Sequence, residues 1–280
     1  MSVEQALQNY FNSGQQTVEG WFYPLDMLFF SQIDHTQKSS GIAGDICELG
    51  VYQAKSLIYL KLLSINTEVV FAFDLYPDDL LEKSQANVNR LANYAETGEV
   101  RWVVGGSNEH TVDTLKAHFN KPLRMLHIDA GHEYHEVLQS LYAFTPFVSN
   151  QGVIIMDDYQ DRDFPGVESA VHRFTQEHVP RRFVPFAAGA NKMYLCTPAM
   201  AHHYQRGLIQ HQSLMNQCRV TRIENYFVLI ATTKLPMAND QIEQILSSQV
   251  IPYQYPVDQS YLQQQANDYG QFSPLFNSTP

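Results

Sequence analysis

Residues 123–158, LRMLHIDAGHEYHEVLQSLYAFTPFVSNQGVIIMDD, decide the fold. LRMLHID reads as a short buried strand ending in an acid, HEVLQSLYAFTPF has helical spacing, and GVIIMDD reads as a second buried strand ending in two acids. Strand, helix and strand in that order make a parallel βαβ unit. The same alternation runs upstream. DICELG is a strand candidate followed by the helical KSLIYLKLL, and EVVFAFD is followed by a polar helical stretch around Leu80 to Tyr94. VRWVVG then precedes the helix candidate TVDTLKAHF. Five strands alternating with helices imply an α/β protein with a doubly wound, mostly parallel, Rossmann-like sheet.

Downstream, ESAVHRFTQEH reads as a helix, and RRFVPF and KMYLC, joined by AAGAN, read as a closing hairpin that brings the sheet to seven strands. Val3 to Asn12 and the segment from Pro24 through LDMLFFSQI have helical spacing, which suggests an N-terminal helical cover over residues 1–39. The core then spans residues 40–198. Residues 199–280 form a C-terminal extension rich in Gln, Asn and Tyr, with YFVLIATT as a strand candidate and DQIEQILSSQ as a helix candidate. Contacts within a homo-oligomer are the expected use of that segment.

A chain of 280 residues can bury one large core, since single cores stop growing near about 250–300 residues. Its 44% hydrophobic and 17% charged content is that of a folded globular protein. A formal charge of −11 would repel phosphates, so nucleic acid is not an expected partner. No run approaches the ~18 apolar residues of a membrane span, and Met1 to Tyr10 lack the pattern of a signal peptide, so a cytoplasmic location is expected. Cys47, Cys196 and Cys218 are widely spaced and in no CxxC arrangement, which reads as reduced, structural cysteine.

Ligands of open parallel sheets sit outside the carboxyl ends of the strands, so the residues that terminate each strand carry the functional information. These are Glu48-Leu49-Gly50, Asp74, Gly105-Gly106-Ser107, Asp129 and Asp157-Asp158. In the first turn, ELGVYQAKS, Gly50 permits a sharp bend and close approach of a ligand. Tyr52 and Ala54 stand where a dinucleotide site would want glycines, which suits a ligand without a pyrophosphate. Asp74 can accept both hydroxyls of a ribose, and it lies 24 residues after Gly50 where about 20 is expected of such an acid. Asp129, Asp157 and Asp158 terminate strands that are normally neighbours, and clustered carboxylates repel unless a cation neutralises them. An all-oxygen set suits Mg²⁺ or another hard divalent ion. Adjacent Asp157 and Asp158 can both face it only if the chain turns there. His132, three residues beyond Asp129, could take a hydroxyl proton near neutral pH. Tyr134, Tyr159 and Trp21 are aromatic candidates for the walls of a substrate pocket.

ELGVYQAKS, FAFD, HIDAGHEY, QGVIIMDDY and PGVESAVHRF together resemble the class I S-adenosylmethionine-dependent methyltransferases related to macrocin O-methyltransferase, which methylate sugar hydroxyls. The resemblance covers roughly residues 40–200. It implies S-adenosylmethionine as cofactor, with Glu48 and Gly50 near its methionine part, Asp74 on its ribose and Ser107 near its adenine. Tyr52 and Ser56 of the first turn complete the candidate cofactor set. It implies a metal on Asp129, Asp157 and Asp158, and His132 rather than His135 as the base. The family usually has a second Gly at the position of Ala54. The expected reaction is metal-assisted methylation of a hydroxyl on a small molecule, a sugar or natural-product intermediate. A metal-dependent oxygenase on the same fold, using Asp129, His132 and His135, and a non-catalytic cofactor-binding protein are the alternatives.

Overall fold

The structure is a computed structural model, and it describes residues 1–177, 183–211, 214, 217–231 and 239–248. Five strands, β1 (Asp45–Leu49), β2 (Val69–Asp74), β3 (Glu99–Val104), β4 (Leu123–Ile128) and β5 (Val148–Met156), pair in parallel in the spatial order β3-β2-β1-β4-β5. β1 is therefore flanked by β2 and β4, and the crevice where the winding reverses opens between the ends of β1 and β4.

β6 (Val184–Gly189) and β7 (Lys192–Cys196) form the expected hairpin, with β7 antiparallel to β5. The sheet does not stop at seven strands. β8 (Cys218–Ile223) and β9 (Tyr226–Ala231) extend it to nine by a parallel pairing of β9 with β6, so it is mixed rather than closed at β6. Residues from the segment expected as a mere extension thus complete one edge of the core sheet. β8 carries Arg219, Thr221 and Ile223 on one face and Cys218, Val220 and Arg222 on the other, so each face mixes polar and apolar residues.

Helices cover both faces. On one lie α1 (Val3–Asn12), α2 (Pro24–Ser39), α3 (Lys55–Leu63), α4 (Leu80–Leu91), α8 (Pro198–Ile209) and α9 (Asn239–Ser247). The other carries α5 (Val112–Leu115), α6 (Tyr134–Phe144) and α7 (Pro165–Glu177). Two hydrophobic clusters result, one on each side, and β1 and β4 are buried along their whole length. The helix expected over TVDTLKAHF is a single turn, Val112–Leu115, capped by Thr111.

The N-terminal helices are fastened to the sheet through charge. Arg124 of β4 is wholly buried and pairs with Glu68 at 2.7 Å and with Asp34 of α2 at 2.9 Å. Helix α8, unforeseen in the sequence, packs on α2 so closely that a Cβ at Gly207 would lie 2.1 Å from Thr36 Oγ1. No helix among the described residues is long and apolar enough to cross a membrane. The C-terminal part of the extension, where oligomer contacts are expected, lies outside the described residues.

Candidate active site

The ends of β1 and β4 touch, and that contact explains the first turn. Asp129 N donates to Leu49 O at 2.8 Å, and a Cβ on Gly50 would come within 1.8 Å of Asp129 O. Gly50 also holds φ +81°. Glycine is thus required by the neighbouring strand as well as by the bend. Beyond it, Asp74 Oδ2 accepts the backbone N–H groups of Val51 at 2.6 Å and Tyr52 at 2.8 Å, so this carboxylate props the turn open. Its oxygens retain further lone pairs toward the cavity. Tyr52 and Ala54 adopt left-handed φ values of +47° and +71°, and the Tyr52 ring stacks on exposed Trp21.

One cavity of about 670 Å³ runs along the strand ends. Gly50, Tyr52, Ser56, Asp74 and Ser107 line it at one side, and Asp129, His132, Asp157 and Asp158 at the other. Trp21 also lines it. Glu48 lies beneath: it is fully buried, with Oε1 2.7 Å from His127 Nδ1 and Oε2 without a partner. Tyr134, Tyr159 and His135 do not line this cavity.

The carboxylates at the far side fall into two groups. Asp158 has φ +54°, so the chain turns directly after β5 and both carboxylates reach the cavity. Asp158 Oδ2 lies 3.0 Å from His132 Nε2, and Oδ1 accepts from Asn191 Nδ2 at 3.1 Å. The His132 ring stacks on Phe164 at 4.0 Å between centroids. Hydrogen bonding to Asp158 raises the pKa of His132 above its ordinary value, outweighing partial burial. Asp129, His132 and Asp158 each offer a ligand atom, all within 4.8 Å of one another.

Asp157 belongs to a different group, which sequence reasoning missed. Its Oδ2 receives the ammonium of buried Lys192, the first residue of β7, and lies 3.3 Å from His127 Nε2. Lys192 also stands 3.5 Å from Asp26 of α2, whose carboxylate is fully buried. The chain Glu48, His127, Asp157, Lys192, Asp26 alternates in sign. Burial alone would neutralise His127, but contacts with Asp157 and Glu48 push its pKa up to about 9, so it is cationic at neutral pH. Burial raises Asp157 less than Lys192 and His127 lower it, and it stays ionised. Asp129, lacking such a partner, is pushed well above the carboxylate range by burial and by Asp157.

This cavity pairs a glycine turn and an acid at the end of β2 with a carboxylate and imidazole group across the switch point. Residues 47–159 match a family model described as a methyltransferase domain. The chain carries a methyltransferase domain. Among solved structures, the O-methyltransferase NovP superposes with a TM-score of 0.55 at 17% identity, covering 70% of this chain and 99% of that one. CalS11, a TDP-rhamnose 3'-O-methyltransferase of calicheamicin biosynthesis, gives 0.49 at 14% identity over 69% and 90% of the two chains. An O-methyltransferase from Bacillus cereus in complex with SAH gives 0.48 at 16% identity over 70% and 90%. No curated protein matches the chain in sequence. At these identities the NovP likeness establishes the methyltransferase fold of the domain.

Proposed function

We propose that this chain transfers a methyl group from S-adenosylmethionine to a hydroxyl of a small molecule, a sugar or natural-product intermediate, as the macrocin-type resemblance implies. The observation that carries the proposal is that Gly50 and Asp74 share one cavity with His132 and Asp129. A cofactor on the β1–β2 side would present its sulfonium toward the acid-lined side. The residues fit it: Asp74 faces the cavity with acceptor capacity to spare, and Gly50 leaves room for close approach beside it.

His132 serves as the base. With Nε2–H donated to Asp158, Nδ1 is the nitrogen that takes the hydroxyl proton, and the carboxylate steadies the imidazolium that results. Phe164 fixes the ring plane. Orientation of the acceptor oxygen in line with the methyl group supplies most of the acceleration. A hard divalent ion such as Mg²⁺ would fit the outer group, with Asp129 and Asp158 as its carboxylates; Asp157, whose Oδ2 is held by Lys192, also stands within ligand distance of Asp129. Once bound, such an ion lowers the pKa of the acceptor hydroxyl.

The oxygenase alternative needs His135 beside Asp129 and His132, whereas His135 is exposed and outside the cavity. Calorimetric titration with S-adenosylmethionine tests the proposal, followed by assay of S-adenosylhomocysteine release from a panel of sugars and phenols with Mg²⁺ or with chelator. Failure to bind S-adenosylmethionine would overturn it. Oxygen consumption with iron would favour the alternative.

A further inference from the structure

A second hollow, of about 230 Å³, opens beside the cavity, and two short stretches of chain form the wall between them. Asp158 faces the cavity while the next residues, Tyr159 and Gln160, face the hollow; Asn191 faces the cavity while Ala190 faces the hollow; Lys192 lines both. The wall is tied together by Tyr159 N donating to Asn191 O at 2.7 Å and by the bond from Asn191 to Asp158. Two residues of chain span at most about 7 Å. The hollow and the acid-lined side of the cavity therefore lie back to back across this thin wall.

The far side of the hollow is the sheet edge built by β8 and β9. Arg219 pairs across the strands with Ile230, and Ile230 with Ala188 of β6, so the three form one row over the sheet, and all three line the hollow. Among the described residues that line it, none is acidic. Arg219 Nε is buried and has no hydrogen-bond partner. Lys192, the other cation among the described lining residues, is committed to Asp157 and Asp26. An arginine whose Nε is shielded from water and unpaired is costly, and its fork of donors matches a carboxylate or phosphate.

We infer that the hollow is a subsite for an anionic group, a carboxylate or phosphate ester, of the methyl acceptor, with Arg219 as its ligand. The inference rests on the methyl-transfer reading and deepens it by naming the acceptor class: a hydroxylated molecule that also carries an oxyanion. It also gives β8 and β9 a use beyond completing the sheet.

Calorimetric titration of the full chain with glucose 1-phosphate, glucuronate and glucose tests it. A charged sugar is expected to bind about ten- to a hundredfold tighter than glucose, the range of a hydrogen-bonded charge pair. The tighter of the two charged sugars tells phosphate from carboxylate. Arg219→Gln is expected to abolish the preference, and Arg219→Lys to keep part of it. Ala231→Glu, which puts a carboxylate in the hollow while leaving Arg219 in place, is expected to abolish it too, and it carries the test should Arg219→Gln not fold. Equal binding of the three sugars, no binding of any, or a preference that survives both Arg219→Gln and Ala231→Glu would overturn the inference. S-adenosylmethionine titrated separately is expected to bind all variants as it binds the parent. Its failure to bind the parent would refute methyl transfer and leave the anion preference standing.

Discussion

Two groups of ionisable side chains lie next to each other at the ends of β4 and β5, and they are held in opposite ways. Asp129, His132 and Asp158 face the cavity and are only partly buried, with Asp129 lacking a cationic partner of its own. Glu48, His127, Asp157, Lys192 and Asp26 are buried and alternate in sign, with only Asp157 and Lys192 of the five reaching the cavity wall. Neighbouring residues in sequence, Asp157 and Asp158, belong to different groups because the left-handed turn at Asp158 separates them. Burial and partnering, more than residue type, decide whether a carboxylate is available for chemistry.

The strongest way to break this contrast is to remove the central cation of the inner group. Lys192→Met leaves Asp157 and Asp26 buried with one fewer counter-charge. A loss of about 3–5 kcal/mol of stability is expected in urea denaturation, the usual cost of orphaning a buried ion. A loss below about 1 kcal/mol would mean that the inner group is hydrated and is no frame for the site.

The outer group should respond in rate rather than stability. His132→Ala is expected to lower kcat about 10²- to 10⁴-fold, the range of a positioned general base. Its affinity for S-adenosylmethionine and its urea midpoint should change little, because His132 is partly exposed. An unchanged kcat would remove His132 from the mechanism.

The difference between the groups also marks what the sequence revealed. Acids terminating apolar strands are conspicuous, so Asp74, Asp129, Asp157 and Asp158 could be picked out, and all four line the cavity. Lys192, His127 and Asp26 were not legible. Asp26 and His127 sit inside apolar runs and Lys192 at the start of one, where a lone polar residue reads as a solvated edge, and each finds its partner only when distant segments fold together: Lys192 meets Asp157 across 35 residues and His127 meets Glu48 across 79. The one available sign was a lysine opening the wholly buried strand KMYLC. β8 escaped notice because its arginines interrupt the apolar pattern, and α8 because Gly207 breaks its helical spacing for the sake of contact with Thr36. The sheet centre was legible because β1 and β4 are buried throughout, and Ile46, Cys47 and Leu49 with Leu123, Met125, Leu126 and Ile128 keep enough apolar residues in each to read as a buried strand.

Asp26 sharpens the comparison through pH. Burial raises its pKa from 3.8 to about 6, with Lys192 opposing. Between those values the folded protein binds a proton that the unfolded chain releases, so Asp26 makes stability fall as pH rises through the window, and the penalty is complete above it. Asp26→Asn removes the penalty. The variant should match the parent near pH 3 and exceed it by roughly 2–3 kcal/mol at pH 8, at 1.36 kcal/mol per pKa unit. Melting temperatures across pH check this; a parent that gains stability over the variant with rising pH would show that the ion pair with Lys192 outweighs burial.

The smallest effect is expected on the cofactor side, where shape rather than charge holds the turn. Ala54 is fully buried at φ +71°, a left-handed conformation that costs a non-glycine residue roughly 1–2 kcal/mol. Ala54→Gly relieves that strain, but it frees the unfolded chain by about 0.4–1 kcal/mol and removes a buried methyl worth about 0.8 kcal/mol. These contributions nearly cancel, so urea denaturation should place the variant within about 1 kcal/mol of the parent. Ala54→Val keeps the strained backbone and adds a branched side chain to it, so it should lose more than about 2 kcal/mol. If Ala54→Gly lost as much as Ala54→Val, the methyl group and not the backbone would be what position 54 selects. The glycine usual at this place in similar methyltransferases would then be no guide to this turn.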